Sequence, residues 1–65
     1  MYGNLLLALK EKGVSQKEVA KKLDLSPQSV YMKIHGRREF TAPEMFTIQR
    51  EYFPNVTLEE LFAKR

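Results

Sequence analysis

Three times in this chain a hydroxyl residue stands three positions before a glutamate: Ser15-Gln-Lys-Glu18, Thr41-Ala-Pro-Glu44 and Thr57-Leu-Glu-Glu60. At that spacing the Ser or Thr oxygen can accept an N–H of the first helical turn while the Glu carboxylate reaches back to the N–H of the cap, so each tetrad reads as a helix start. An apolar run of helical period follows each one. Val19, Ala20 and Leu23 follow the first, Met45, Phe46, Ile48, Gln49, Tyr52 and Phe53 the second, and Leu58, Leu61 and Phe62 the third. A single tetrad is a weak motif, but three that agree with the patterning behind them reinforce one another. Ser26-Pro27 is a fourth start, a cap followed by proline at the position where a missing N–H costs nothing, with Val30 and Ile34 pointing inward. Asn4 is expected to cap a first helix that has Leu5, Leu6 and Leu9 on one side. Gly13 and Gly36 are natural left-handed terminators and Pro54 halts the longest run. The predicted helices span about 4–12, 16–23, 27–35, 42–53 and 57–63. With no strand alternation, internal repeat or linker, the expectation is one all-α domain of five short helices over 1–65, with a helix-turn-helix at about 16–35.

Size and composition exclude several kinds of chemistry. Sixty-five residues are near the lower limit for an independent core, so no large internal cavity and no separate ligand-sensing domain is expected. With no cysteine there is no disulfide framework and no thiolate metal site, and the single His35 cannot make a metal site alone. No cofactor is expected, and a reducing, cytoplasmic setting fits. The longest apolar stretch, Leu5 to Leu9, is far short of the roughly 20 residues of a membrane span or the roughly 7–15 of a signal-peptide core. No membrane partner is therefore expected. The carboxylates have no second acid, His or Ser placed near them by sequence, and the three glycines are isolated rather than gathered in a phosphate loop. An enzyme is not expected.

The charges are polarised along the chain. Met1 to Arg38 holds eight Lys or Arg against three acids, a balance of +5, whereas Glu39 to Arg65 holds three against five, a balance of −2. A basic half favours a polyanion through counterion release. Within it, Ala20 is small enough to let the helix at 27–35 cross closely, Leu25 plugs the turn, and Val30 packs beneath the crossing. That leaves Gln28, Ser29, Tyr31, Met32 and His35 for the outer side. They are amide, hydroxyl, aromatic and apolar rather than the Glu and Lys of an ordinary solvated helix. Such a set suits the major groove, where amides pair with adenine edges and apolar groups touch thymine methyls. Tyr31 has a competing use as packing against the preceding helix or the Arg37 stem. Lys10, Lys12, Lys21 and Lys22 read as solubilising charges.

The segment Gln16-Lys-Glu-Val-Ala20-Lys-Lys-Leu23-Asp-Leu25-Ser26-Pro-Gln-Ser-Val30 resembles the helix-turn-helix of lambda-repressor-like DNA-binding domains of the phage Cro and repressor type. Lys33-Ile34-His35-Gly36-Arg37-Arg38-Glu39-Phe40-Thr41 is similar to the K-I-N-G-x-x-x-F segment of a phage-associated subgroup of short regulators. The resemblance covers nearly the whole chain. It implies a transcriptional regulator that binds double-stranded operator DNA, usually as a homodimer, with the helix at 27–35 in the major groove. Carried over residue by residue, it assigns base contacts to Gln28, Ser29, Tyr31 and Met32. Backbone contacts fall to Gln16, Lys17, Ser26, Lys33, His35, Arg37 and Arg38. Three positions depart from the pattern. Asp24 stands where Gly is usual, so the turn either avoids positive φ or accepts Asp in it. Lys33 takes a place more often apolar, with Ile34 beside it in the inward role, and His35 replaces a frequent Asn.

Specific recognition by so small a module normally requires two copies on half-sites about 34 Å apart. Tyr52, Phe53, Pro54, Val56 and Leu58, with Phe62, are the candidate surface for that pairing, and they serve equally well to complete the core of one chain. Two other functions remain open on sequence alone: a protein-interaction module using the apolar C-terminal half, and a non-specific DNA-binding protein.

Overall fold

In the computed structural model, which describes residues 1–64, the start signals form largely as their spacing predicts. Ser15 Oγ accepts the Glu18 N–H at 3.1 Å and Glu18 Oε1 accepts the Ser15 N–H at 3.5 Å, opening α2 (Gln16–Leu23). Thr41 and Glu44 exchange the same pair of bonds at 3.3 and 2.9 Å to open α4 (Ala42–Tyr52). Ser26 Oγ accepts the Ser29 N–H at 3.1 Å and Pro27 is the first residue of α3 (Pro27–Ile34). The third tetrad is half-formed. Thr57 accepts the Glu60 N–H, but its hydroxyl donates to the Glu60 carboxylate at 3.3 Å, and α5 (Leu58–Leu61) is a single turn rather than the expected 57–63.

The first helix departs from expectation. α1 (Gly3–Lys12) begins one residue early and has no side-chain cap; Asn4 lies inside it and donates to the Glu60 carbonyl at 3.0 Å, tying α1 to α5. Its start is set over a long range instead. The Tyr2 N–H donates to the Ile34 carbonyl at 2.8 Å, and the Tyr2 ring is buried edge-to-face against Phe40 and Phe62, with centroids at 5.3 and 5.8 Å.

Three helices end in one pattern of paired backbone bonds. The N–H groups of Gly13 and Val14 donate to Lys10 and Leu9, those of Asp24 and Leu25 to Lys21 and Ala20, and those of Gly36 and Arg37 to Lys33 and Met32. Each pattern turns on a left-handed residue. Asp24 accepts that conformation at φ 58, which settles how the turn copes without glycine.

α2 and α3 make the most extensive pairing, while α1 packs on α3 and α5, and α4 on α2 and α5. Leu5, Leu9, Val19, Ala20, Val30, Ile34, Ile48 and Leu61 are sealed between them, with Tyr2, Phe40 and Phe53 at the rim. One expectation needs correcting. Phe46 is 51% exposed, because Met45, Ile48, Gln49 and Tyr52, at i, i+3, i+4 and i+7, carry the inward face of α4 and position 46 falls off it. Of the two uses open to Phe53, pairing surface or core, the fold takes the second: it is 8% exposed and packs in the core of its own chain. Val56 and Tyr52 also pack on that core, Gln49 Nε2 donates to the Val56 carbonyl at 2.8 Å, Leu58 is half-buried, and Pro54 remains exposed. Among the described residues no strand occurs, and no helix is long and apolar enough to cross a membrane.

Candidate nucleic-acid interface

The inward side of α3 is set by Val30, Lys33 and Ile34, all buried. By helical geometry Gln28, Tyr31, Met32 and His35, at i, i+3, i+4 and i+7, then share the opposite side. Gln28 and Tyr31 are exposed, and Ser29, Met32 and His35 are half-buried. Tyr31 is 50% exposed. Its ring lies against the His35 imidazole, with centroids 4.2 Å apart and planes at 37°, an i, i+4 pair that sequence reasoning passed over. Ser26 Oγ donates to Ser29 Oγ at 2.9 Å while accepting the Ser29 N–H. The two hydroxyls are thereby joined within the turn.

Lys33 overturns its assignment to the DNA backbone. It is 8% exposed, and its ammonium sits 2.6 Å from Glu44 Oε1, the same oxygen that accepts the Thr41 N–H. Spacing explains why. Three residues after Val30 and next to Ile34, it lies on the inward stripe, where a charge survives only beside a partner and its remaining donors stay in the fold. Burial raises the Glu44 carboxyl, but the Lys33 hydrogen bond, the bond from Thr41 and the Lys33 charge outweigh it and hold Glu44 below the usual carboxylate range.

The other cations divide into two groups. Lys22 pairs with Glu51 at 3.4 Å, Arg50 with Glu51 at 3.9 Å and Lys64 with Glu39 at 3.0 Å. Among the described residues, Lys10, Lys12, Lys17, Lys21, Arg37 and Arg38 are exposed and enter no ion pair with an acid. Lys17 and Lys21 line, with Leu25 and Pro27, a shallow depression between α2 and the start of α3. Lys21, first read as a solubilising charge, thus stands with Lys17 beside α3, a placement its i, i+4 spacing from Lys17 could have suggested. Gln16 is half-buried as the first residue of α2, where helix-end N–H groups favour an anion. Arg37 and Arg38 follow the left-handed turn at Gly36, where an added Cβ would lie 3.2 Å from the Met1 nitrogen. The arrangement is a cation-free outer helix face with unpaired cations before and after it in the chain, which separates groups able to read base edges from groups able to neutralise phosphates.

No match is found among the curated proteins or the solved structures. A family model described as helix-turn-helix matches residues 5–61, and that family implies a DNA-binding regulator of transcription acting on double-stranded DNA. With five helices, paired α2 and α3 and a match over nearly its whole length, the chain belongs to the lambda-repressor-like, Cro and repressor type helix-turn-helix family.

Proposed function

We propose that the chain, acting as one helix-turn-helix unit over 1–65, is a sequence-specific regulator of phage or prophage type that works in the bacterial cytoplasm. Two copies occupy an inverted-repeat operator and obstruct or redirect polymerase. In this reading α3 lies in the major groove, with Gln28, Ser29, Tyr31 and Met32 at base edges. Gln16, Lys17, His35, Arg37 and Arg38 flank it on the phosphates, joined by Lys21, while Ser26 serves as the cap and Lys33 stays with Glu44.

The observation that carries this reading is the outward face of α3. It bears amide, hydroxyl, phenol and thioether groups, with the helix's one cation turned to the opposite side. A solvated helix face has no use for that composition, and base edges do.

The deciding experiment is selection of bound duplexes from a randomised library of roughly 20 base pairs near physiological salt, where non-specific binding is weak. The expected result is an enriched inverted repeat with half-sites near one helical turn apart. Binding without enrichment that falls smoothly as salt rises overturns the specific regulator and leaves a non-specific DNA-binding protein. Absence of binding at any salt overturns both.

A further inference from the structure

Of the side chains on the outward face of α3, none carries a fixed charge. Lys33, the only Lys or Arg in the helix, is held inward by Glu44 at 2.6 Å. The groups that most often take guanine N7 and O6, Arg and Lys, are therefore missing from the face that would meet base edges. What the face offers is an amide at Gln28, a half-buried hydroxyl at Ser29, a half-buried thioether at Met32, the half-buried His35 imidazole and the Tyr31 ring, 50% exposed.

His35 lies against that ring at 4.2 Å, the two planes tilted by 37°, and helical spacing sets the ring beside Met32 and one turn from Gln28. On the major-groove edge of a base pair the apolar feature is the C5-methyl group of thymine, and the feature matching a side-chain amide is the N6 and N7 pair of adenine. Resting on the reading that α3 enters the major groove, we infer that Tyr31, steadied by His35 and flanked by Met32, reads a thymine methyl, and that the half-site is centred on A·T pairs with Gln28 on adenine. For the methyl contact His35 is a positioning residue, acting through the ring it lies against, in addition to the phosphate contact proposed for it above.

Uracil isolates the methyl, because it lacks that group and keeps every hydrogen-bonding edge of thymine. Two randomised libraries of roughly 20 base pairs, one built with thymine and one with uracil, are carried through selection with the full chain near physiological salt. The recovered site is then bound in both forms by wild type, Tyr31→Phe, Tyr31→Ala and His35→Ala, with helicity followed by circular dichroism. An A·T-centred half-site is expected, with the uracil form bound more weakly by roughly four-fold for each contacted methyl, the worth of one buried group of that size. Tyr31→Phe keeps that ratio, Tyr31→Ala removes it, and His35→Ala reduces it at unchanged helicity. A G·C-centred site, equal binding of the two forms by wild type, or a ratio that survives Tyr31→Ala overturns the inference while sequence-specific binding stands. Failure of both libraries to enrich overturns the specific-regulator reading and this inference with it.

Discussion

Asp24 holds φ 58 and ψ 44 at the end of α2, in the left-handed region where a Cβ is strained and glycine is not. Its carboxylate also stands at the negative end of the α2 dipole, the less favourable end for an acid. Both effects act in the same direction. Asp24→Gly is expected to stabilise the protein by about 0.5–1 kcal/mol, read as a higher urea midpoint at unchanged slope. A lower midpoint would mean that the Asp24 carboxylate makes a contact worth more than the strain it imposes. On the outward face of α3, the proposed division between base and phosphate contacts separates two substitutions. Gln28→Ala should cost about 1–3 kcal/mol on the selected operator and little on random duplex. Arg38→Ala should weaken both and lower the slope of binding against salt by about one. Equal losses from Gln28→Ala on the two duplexes would place Gln28 on the backbone rather than on a base. Capping and turn residues such as Ser15, Thr41 and Gly36 were legible because the groups they satisfy lie within four residues. The inward turn of Lys33 was not read, although its spacing from Val30 shows it, because the acid that makes such burial tolerable is eleven positions away in another helix.

Glu44 joins two elements through one oxygen, accepting the Lys33 ammonium at 2.6 Å and the Thr41 N–H at 2.9 Å. The back of α3 is thereby fixed to the start of α4. Because the Glu44 carboxyl is held below its ordinary value near 4.5 in the fold, the stability it contributes is fully present above that value and is lost as pH falls through the depressed one. Glu44→Gln keeps a cap oxygen for Thr41 but leaves the buried ammonium of Lys33 without its charge partner. At about pH 7 it should cost about 2 kcal/mol, roughly 10 °C in melting temperature for a chain of this size. Lys33→Met should cost less, since it removes the buried charge and leaves Glu44 capping α4. Melting curves from about pH 7 down to about pH 3 test the assignment, because protonation of Glu44 in wild type should close the gap to Glu44→Gln. A gap that stays constant across that range would mean that shape rather than charge sets the cost. The helices were legible where they begin with a local cap, and α2 matches its predicted span to the residue. α1 was misread at its start because its anchor, Tyr2, works through Ile34, Phe40 and Phe62, contacts that no short window of sequence contains.

Two reading helices placed one turn of DNA apart are about 34 Å from each other. The Cα trace of the protein spans 26 by 22 by 22 Å. Two copies on one face of a duplex therefore meet at their margins, with little surface to share. The apolar residues first assigned to that seam are largely taken up by the fold, with Phe53 in the core, Tyr52 and Val56 packed on it, and Pro54 and the half-buried Leu58 left at the surface. A stable protein pair commonly buries about 800 Å² from each partner, close to a fifth of the 4272 Å² that this chain exposes. A marginal contact between two molecules of these dimensions does not supply that area. The expected behaviour is a chain that is monomeric in free solution and pairs on its operator, where the duplex supplies the proximity that the protein surface does not. Sedimentation at about 10 μM should give the 7.6 kDa mass of a single chain, while titration of an inverted-repeat duplex should be cooperative. Lengthening the spacer by half a turn, about five base pairs, puts the second copy on the other side of the helix and should abolish cooperativity while preserving binding to each half-site. A dimer in free solution at that concentration would overturn this account, and it would mean that the pairing surface lies elsewhere than at the Tyr52–Leu58 seam.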